Sequence, residues 1–288
     1  MSQPKDTEGG VTPEEIVIPA RDGYPLAASL FRPAEPTGRV VVVSSATAVR
    51  RRFYRRFACA LAEAGYATLT YDYRGIGDSA PPSLRGFDAR VRDWVEKDMS
   101  AVVDHARDAL RPDKLFLVGH SVGGQLAGLL ESTEDLDGMI TLSSQSGHWR
   151  MQGGEQKAMV FLHTHLTLPL LTRLYGYMPW SSWASGEDLP KGAALEWARW
   201  CRMRNYLLDD ATLPLERYAL FRAPVLAYSI GDDKWGTPRS VDAMMGAYPV
   251  LERRHVEPEG KPLGHFGWFR DERLWGDAIA WLDARSMR

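Results

Sequence analysis

The sequence is poor in cysteine. Its 288 residues contain two, Cys59 and Cys201, with no C-x-x-C pair and no Cys/His cluster. A disulfide scaffold and a structural zinc site are therefore excluded as organising features, and two reduced thiols are expected. No uninterrupted apolar run approaches the roughly 20 residues of a membrane-spanning helix. The nearest stretch, residues 158–178, is broken by His163, His165, Pro169 and Arg173. Residues 1–10 are polar and lack the apolar segment of a secretory signal. These absences predict a soluble, cytoplasmic protein with no membrane partner. Positive charge is not in excess either. Lys and Arg number 35 against 37 Asp and Glu, a net charge of −2, so no nucleic-acid partner is expected. No G-x-x-x-x-G-K-[ST] loop is present. Gly75-Ile76-Gly77-Asp78-Ser79-Ala80 has the spacing of a dinucleotide fingerprint, but Pro81-Pro82 stand where that motif must open a helix. The sequence therefore calls for no cofactor and no metal.

What is present is a repeating pattern of short apolar runs and amphipathic stretches. Residues 14–20 and 24–32 read as two strands joined by Arg21-Asp22-Gly23. Residues 40–44, four valines and a serine, read as a strand buried on both faces. Helix is predicted over 50–65, strand over 66–71, helix over 87–110, strand over 115–119, helix over 122–130 and strand over 139–143. This alternation predicts an α/β fold with a parallel sheet between helices. The pattern then breaks. Residues 145–215 show helical segments and no clear strand, and hold Trp149, Trp180, Trp183, Trp197 and Trp200. Strand, helix, strand and helix resume at 224–229, 242–248, 250–256 and 270–284. The expected organisation is a tail at 1–13, a core at 14–145 and 216–288, and a helical lid inserted at 146–215.

The chemistry concentrates in Gly119-His120-Ser121-Val122-Gly123-Gly124. A G-x-S-x-G sequence between a strand and a helix forces its serine into a sharp turn and presents the hydroxyl above the strand ends, at a helix N-terminus. A serine hydroxyl is a weak nucleophile until a base removes its proton. The chain supplies an acid and then a histidine, in that order. Asp232 and Asp233 follow the strand at 224–229, and His265 lies between Gly264 and Phe266 near the end. Asp233 is the expected triad acid, with Asp232 the alternative. Two backbone N–H groups should hold the oxyanion. One belongs to Val122, after the nucleophile. The other belongs to the small-residue loop Ser45-Ala46-Thr47-Ala48, where Thr47 is assigned and Ala46 and Ala48 remain alternatives. His105, His120, His148, His163 and His255 read as surface or packing residues, and His165 as a candidate for the pocket wall.

Together with Asp72-Tyr73-Arg74-Gly75-Ile76-Gly77-Asp78-Ser79 and Gly264-His265-Phe266, this motif resembles the α/β-hydrolase superfamily. Within it, the chain is similar to lid-containing bacterial serine hydrolases, aminopeptidase-like and esterase-like. The resemblance covers about residues 14–145 and 216–286. It implies an eight-stranded, mostly parallel sheet with an antiparallel second strand, and a lid after the sixth. Ser45-Ala46 depart from the His-Gly that many such proteins carry at the oxyanion loop.

The expected activity is hydrolysis of a carboxylic ester or related small acyl compound through an acyl-enzyme on Ser121. A peptidase or amidase, an acyltransferase and a non-enzymatic binding protein are the alternatives. An aminopeptidase would need acidic groups for the substrate amine, and Glu187 and Asp188 could serve. Arg50, Arg51, Arg52, Arg55 and Arg56 crowd one helix start, either as a solvated face or as a site for an acidic substrate group or carrier.

Overall fold

The computed structural model describes residues 11–182 and 186–287. Residues 1–10 and Trp183, on which two of the expectations above fall, lie outside the described residues. Ten strands are β1 (Glu14–Pro19), β2 (Pro25–Phe31), β3 (Arg39–Ser44), β4 (Ala67–Tyr71), β5 (Lys114–His120), β6 (Gly138–Leu142), β7 (Tyr177–Met178), β8 (Leu189–Pro190), β9 (Val225–Ile230) and β10 (Leu251–Val256). Eight form one sheet in the order β1-β2-β4-β3-β5-β6-β9-β10. β2 runs antiparallel to both its neighbours, β1 and β4, and every other pairing in this sheet is parallel. The α/β expectation and the reversed second strand both hold.

The valines of β3 show why the sheet is buried on two sides. Successive side chains point to opposite faces. Val40 and Val42 join the core on one face with Leu69, Leu117 and Met139, while Val41 and Val43 join Phe116, Ile140 and Leu142 on the other. The edge strand β10 instead carries exposed Glu252, Arg253 and His255 among partly buried residues, which discourages pairing with another chain.

Boundaries depart from the sequence reading in four places. The helix expected at 87–110 starts at Val91, widens into a π-helical turn over Trp94–Met99 and continues as Ser100–Leu110. The helix expected at 242–248 starts earlier, at Pro238, where proline presets the first turn, and ends at Met245. The closing helix occupies Trp275–Ser286 after two short 3-10 turns. The stretch expected to lack strands contains β7 and β8, an antiparallel pair two residues long. Such a pair is too short to leave a period in the sequence. Among the described residues no helix is long and apolar enough to cross a membrane. Cys59 is half-buried and Cys201 buried, and both are free thiols.

The D-x-R-G-x-G-x-S stretch after β4 is a charge hub. Asp72 is fully buried and accepts from the Arg51 backbone N–H at 2.6 Å, from Arg51 Nη1 at 2.5 Å and from the Asp78 N–H at 3.1 Å. Arg51 is itself buried and also reaches Glu15, Asp78 and Ser29. Arg74 donates to the buried Asp98 at 2.8 Å and to Asp22 at 2.7 Å. Removing one member of such a buried pair leaves an uncompensated charge, at about 3–5 kcal/mol. Arg51→Met should therefore lower the unfolding free energy in urea by about that amount. A loss below about 1 kcal/mol would mean that Asp72 finds other partners.

Candidate active site

Ser121 sits between β5 and the helix Val122–Leu126 with φ 51° and ψ −114°, outside the ordinary regions for a residue with a side chain. Such strain persists only where the surroundings impose it. Here β5 lies against β6, and the Ser121 N–H donates to Leu142 O at 2.9 Å. A Cβ at position 119 would collide with Gly124 N, and one at 123 with Ser44 O, so the flanking glycines are steric requirements. Ala48 (φ 60°) and Ser143 (φ 48°), beyond the C-terminal ends of β3 and β6, also adopt positive φ. Three of the five non-glycine residues with positive φ among the described residues thus lie along one rim of the sheet.

The candidate acid and base meet across that rim. His265 Nδ1 donates to Asp233 Oδ2 at 2.7 Å, and Asp233 Oδ1 accepts from the N–H groups of Trp235 and Gly236, each at 2.8 Å. Burial alone would raise the Asp233 pKa. The positive charge available on His265 and the hydrogen bonds from His265, Gly236 and Ser143 outweigh burial and hold it at about 2, below the usual 3.8. Asp232 does a different job: its carboxylate accepts from Leu263 N–H at 3.0 Å and Gly264 N–H at 2.8 Å, clamping the turn that delivers His265. Of the two neighbouring aspartates, only Asp233 touches the imidazole.

Ser121 and His265 line the same cavity, of about 1320 Å³. They are not hydrogen-bonded to each other here. The Ser121 hydroxyl points at Gln145 Oε1, 3.4 Å away, and Gln145 is fixed in turn by Gln125, whose Nε2 donates to its backbone carbonyl at 2.7 Å. The cavity is also lined by Ala46, Thr47 and Ala48 of the loop after β3 and by Met159, His163, Trp180 and Trp197 from the helical stretch. His163 lies in the wall. His165, expected there, is not in it and stacks on Phe161 with ring centroids 4.1 Å apart. Trp200 is buried away from the cavity and donates to Asp210 at 2.7 Å.

Residues 34–187, more than half of the chain, match the family described as serine aminopeptidase, S33. The chain belongs to that family. Solved structures with the same architecture include a proline iminopeptidase from Mycobacterium smegmatis (TM-score 0.62, 16% identity, covering 95% of this chain and 99% of that one). An esterase from Pyrococcus furiosus aligns with TM-score 0.62 at 14% identity over 100% of this chain and 98% of that one. A hypothetical protein from Pseudomonas aeruginosa aligns with TM-score 0.69 at 14% identity over 99% and 98%. At such identities the likeness shows the fold, an α/β-hydrolase fold. No curated protein matches the chain.

In this S33-family chain the loop after β3 is held in a way the sequence did not reveal. The Ala46 N–H donates to the hydroxyl of Tyr54 at 2.8 Å, and Tyr54 lies 2.9 Å from His120 Nδ1. His120 Nε2 lies 2.9 Å from the carbonyl oxygen of His265, which can only accept. Nε2 therefore carries the proton, Nδ1 accepts, and the Tyr54 hydroxyl is the donor between them. Burial, and then the positive charge available on His265, push the His120 pKa down to about 3, so it stays neutral. One buried chain thus runs from the loop after β3, through the residue preceding Ser121, to the loop carrying His265. It occupies the Ala46 N–H and leaves those of Thr47 and Val122 with no hydrogen bond among the described residues. His120 was expected to be a packing residue. Its role depends on Tyr54, 66 positions away, and no local pattern signals that.

The arginine cluster is largely neutralised. Arg50 pairs with Glu187 at 2.9 Å, Arg52 with Asp78 at 3.1 Å, and Arg56 with Glu272 at 2.5 Å. Glu187 also donates its N–H to Ala48 O at 2.9 Å, and Asp188 accepts from Ser181 N–H at 2.8 Å. Neither carboxylate is left free. Replacing Tyr54 by Phe would strand the Ala46 N–H and His120 Nδ1 in the interior, at about 1–3 kcal/mol per group. Chemical unfolding of Tyr54→Phe should show a loss in that range. An unchanged midpoint would mean that the chain contributes nothing.

Proposed function

We propose that the protein is a serine hydrolase that cleaves a carboxylic ester or related acyl compound through an acyl-enzyme on Ser121. The observation that carries this reading is the 2.7 Å hydrogen bond from His265 to a buried, ionised Asp233, facing the same cavity as a serine in a strained turn. Asp233 fixes the imidazole with its proton on Nδ1, so Nε2 presents a lone pair to the cavity. The Ser121 hydroxyl turns from Gln145 to Nε2 as it loses its proton, and Oγ bonds to the substrate carbonyl carbon. Negative charge on the carbonyl oxygen is met by the N–H groups of Thr47 and Val122. The bond to the leaving group then breaks, and the leaving group takes the proton from Nε2. Water repeats the sequence to release the acid and restore Ser121.

A peptidase reading is weakened by one feature of the cavity wall. Each carboxylate facing it is already paired: Glu15 with Arg51, Asp78 with Arg51 and Arg52, and Glu187 with Arg50. A substrate amine would have to displace an arginine. Glu187 and Asp188 therefore lose the amine-binding role raised for them. The division into a core at 14–145 and 216–288 and a lid at 146–215 belongs to the same proposal, with Trp180 and Trp197 of the lid closing the cavity above Ser121.

Ser121→Ala should lower kcat on p-nitrophenyl esters by on the order of a million-fold without unfolding the protein. Asp233→Asn should cost about 10⁴-fold, because the imidazole loses its tautomer. Asp232→Asn, which loosens only the backbone of the histidine loop, should cost about 10–100-fold. The reverse ranking of the two aspartates would assign the acid to Asp232. Aminoacyl anilides should be turned over far more slowly than esters, and the opposite preference would make the protein a peptidase.

A further inference from the structure

A long helical segment runs from Gln156 to Tyr175 as helix Gln156–Leu162, a π-helical turn His163–Thr167 and helix Leu168–Tyr175. It spans about 30 Å. Six of the eleven exposed large apolar side chains among the described residues lie on it: Phe161, Leu162, Leu166, Leu170, Leu174 and Tyr175, between 43% and 63% exposed. Four of these leucines recur every four residues. In a regular α-helix that spacing drifts by about 40° per step, so Leu162 and Leu174 would stand about 120° apart. The π-helical turn takes in one extra residue, about 100° of rotation, and brings Leu174 back to within roughly 20° of Leu162. The wide turn therefore straightens the leucines into one outward stripe. The same correction aligns the inward stripe, Val160, Thr164, Leu168 and Thr172, all buried. Two side-chain bonds accompany it, Thr164 Oγ1 to Val160 O at 2.8 Å and His165 Nδ1 to Phe161 O at 2.9 Å, and Pro169 lacks the N–H that would continue a regular ladder.

We propose that this outward face docks on an anionic lipid surface, with the helix lying in the interface plane. An apolar stripe flanked by basic residues is the pattern of an interfacial helix. Lys157 and Arg173 are exposed on the helix, and Arg150 precedes it over the face of Trp149. None of the three has an ion-pair partner among the described residues, and no Asp or Glu occurs from 156 to 186; Glu155, which caps the helix, is paired with Lys234 at 3.3 Å. That charge pattern decides between occupants. A second copy packed stripe to stripe would bring Lys157 and Arg173 against basic residues of the other copy, and the nearest carboxylate, Glu155, is already paired with Lys234. An anionic headgroup layer meets them with opposite charge. The same segment places Met159 and His163 in the wall of the Ser121 cavity, so the docked face lies beside that cavity. The expectation of no membrane partner came from the lack of a spanning run; that lack bears on crossing a bilayer, not on lying against one.

The test is co-sedimentation of the full chain with phosphatidylcholine vesicles, with and without about a third phosphatidylglycerol, alongside sedimentation velocity of the free protein. It needs no turnover, so its outcome is independent of the proposed hydrolysis. The expected result is a monomer that pellets at least ten-fold more with the anionic vesicles. Leu166→Ser/Leu170→Ser and Lys157→Gln/Arg173→Gln should each lose most of that binding while keeping the wild-type Tm, since all four side chains are exposed. Absence of binding, or equal binding to both vesicle types, overturns the proposal. A dimer that Leu166→Ser/Leu170→Ser dissociates overturns it in favour of a second copy.

Discussion

The site depends on one backbone constraint, the forced turn at Ser121. A residue with a side chain takes that conformation only when every alternative is blocked. β5 holds the incoming chain in register between β3 and β6, the glycines at 119 and 123 let it pass Gly124 and Ser44, and the following helix fixes the outgoing direction. The serine is thereby presented at the rim of the sheet, beside a helix N-terminus whose free N–H groups favour developing negative charge. Mobility at this turn would misplace the hydroxyl relative to everything around it.

The remaining parts are tied to that turn by buried and half-buried polar contacts. Tyr54 and His120 link the loop after β3 to the histidine loop through the residue adjacent to Ser121. Asp232 and Asp233, neighbours in sequence, divide the work on the histidine loop: one holds its backbone and the other its imidazole. Because these bonds are buried or half-buried and join the loops to one another, the three loops are positioned as a unit before any substrate arrives. The Arg51–Asp72 and Arg74–Asp98 pairs brace the neighbouring strand end, which accounts for the D-x-R-G-x-G-x-S sequence without assigning it a ligand.

Much of this was legible in the chain. The four valines of β3 and the strand–G-x-S-x-G–helix order locate the sheet and the turn, because burial on two faces and steric need for glycine act locally. The order serine, aspartate, histidine identifies which loops converge. What was not legible depends on distance or phase. The choice between Asp233 and Asp232 turns on a pairing across 32 positions. His163 rather than His165 faces the cavity because it lies one turn after Met159 on the same face, whereas two further residues rotate His165 about 200° away. The arginine cluster looked available for an acidic ligand because its partners, Glu15, Asp72, Asp78 and Glu187, come from separate parts of the chain.

The most direct measurement is labelling of the folded protein with a fluorophosphonate, followed by mass-spectrometric mapping of the adduct. A serine activated by His265 and facing donors for a tetrahedral oxyanion should be labelled stoichiometrically, with the adduct on Ser121 and no labelling of Ser121→Ala. An unlabelled protein, or an adduct on another serine such as Ser143 or Ser144, would contradict the account.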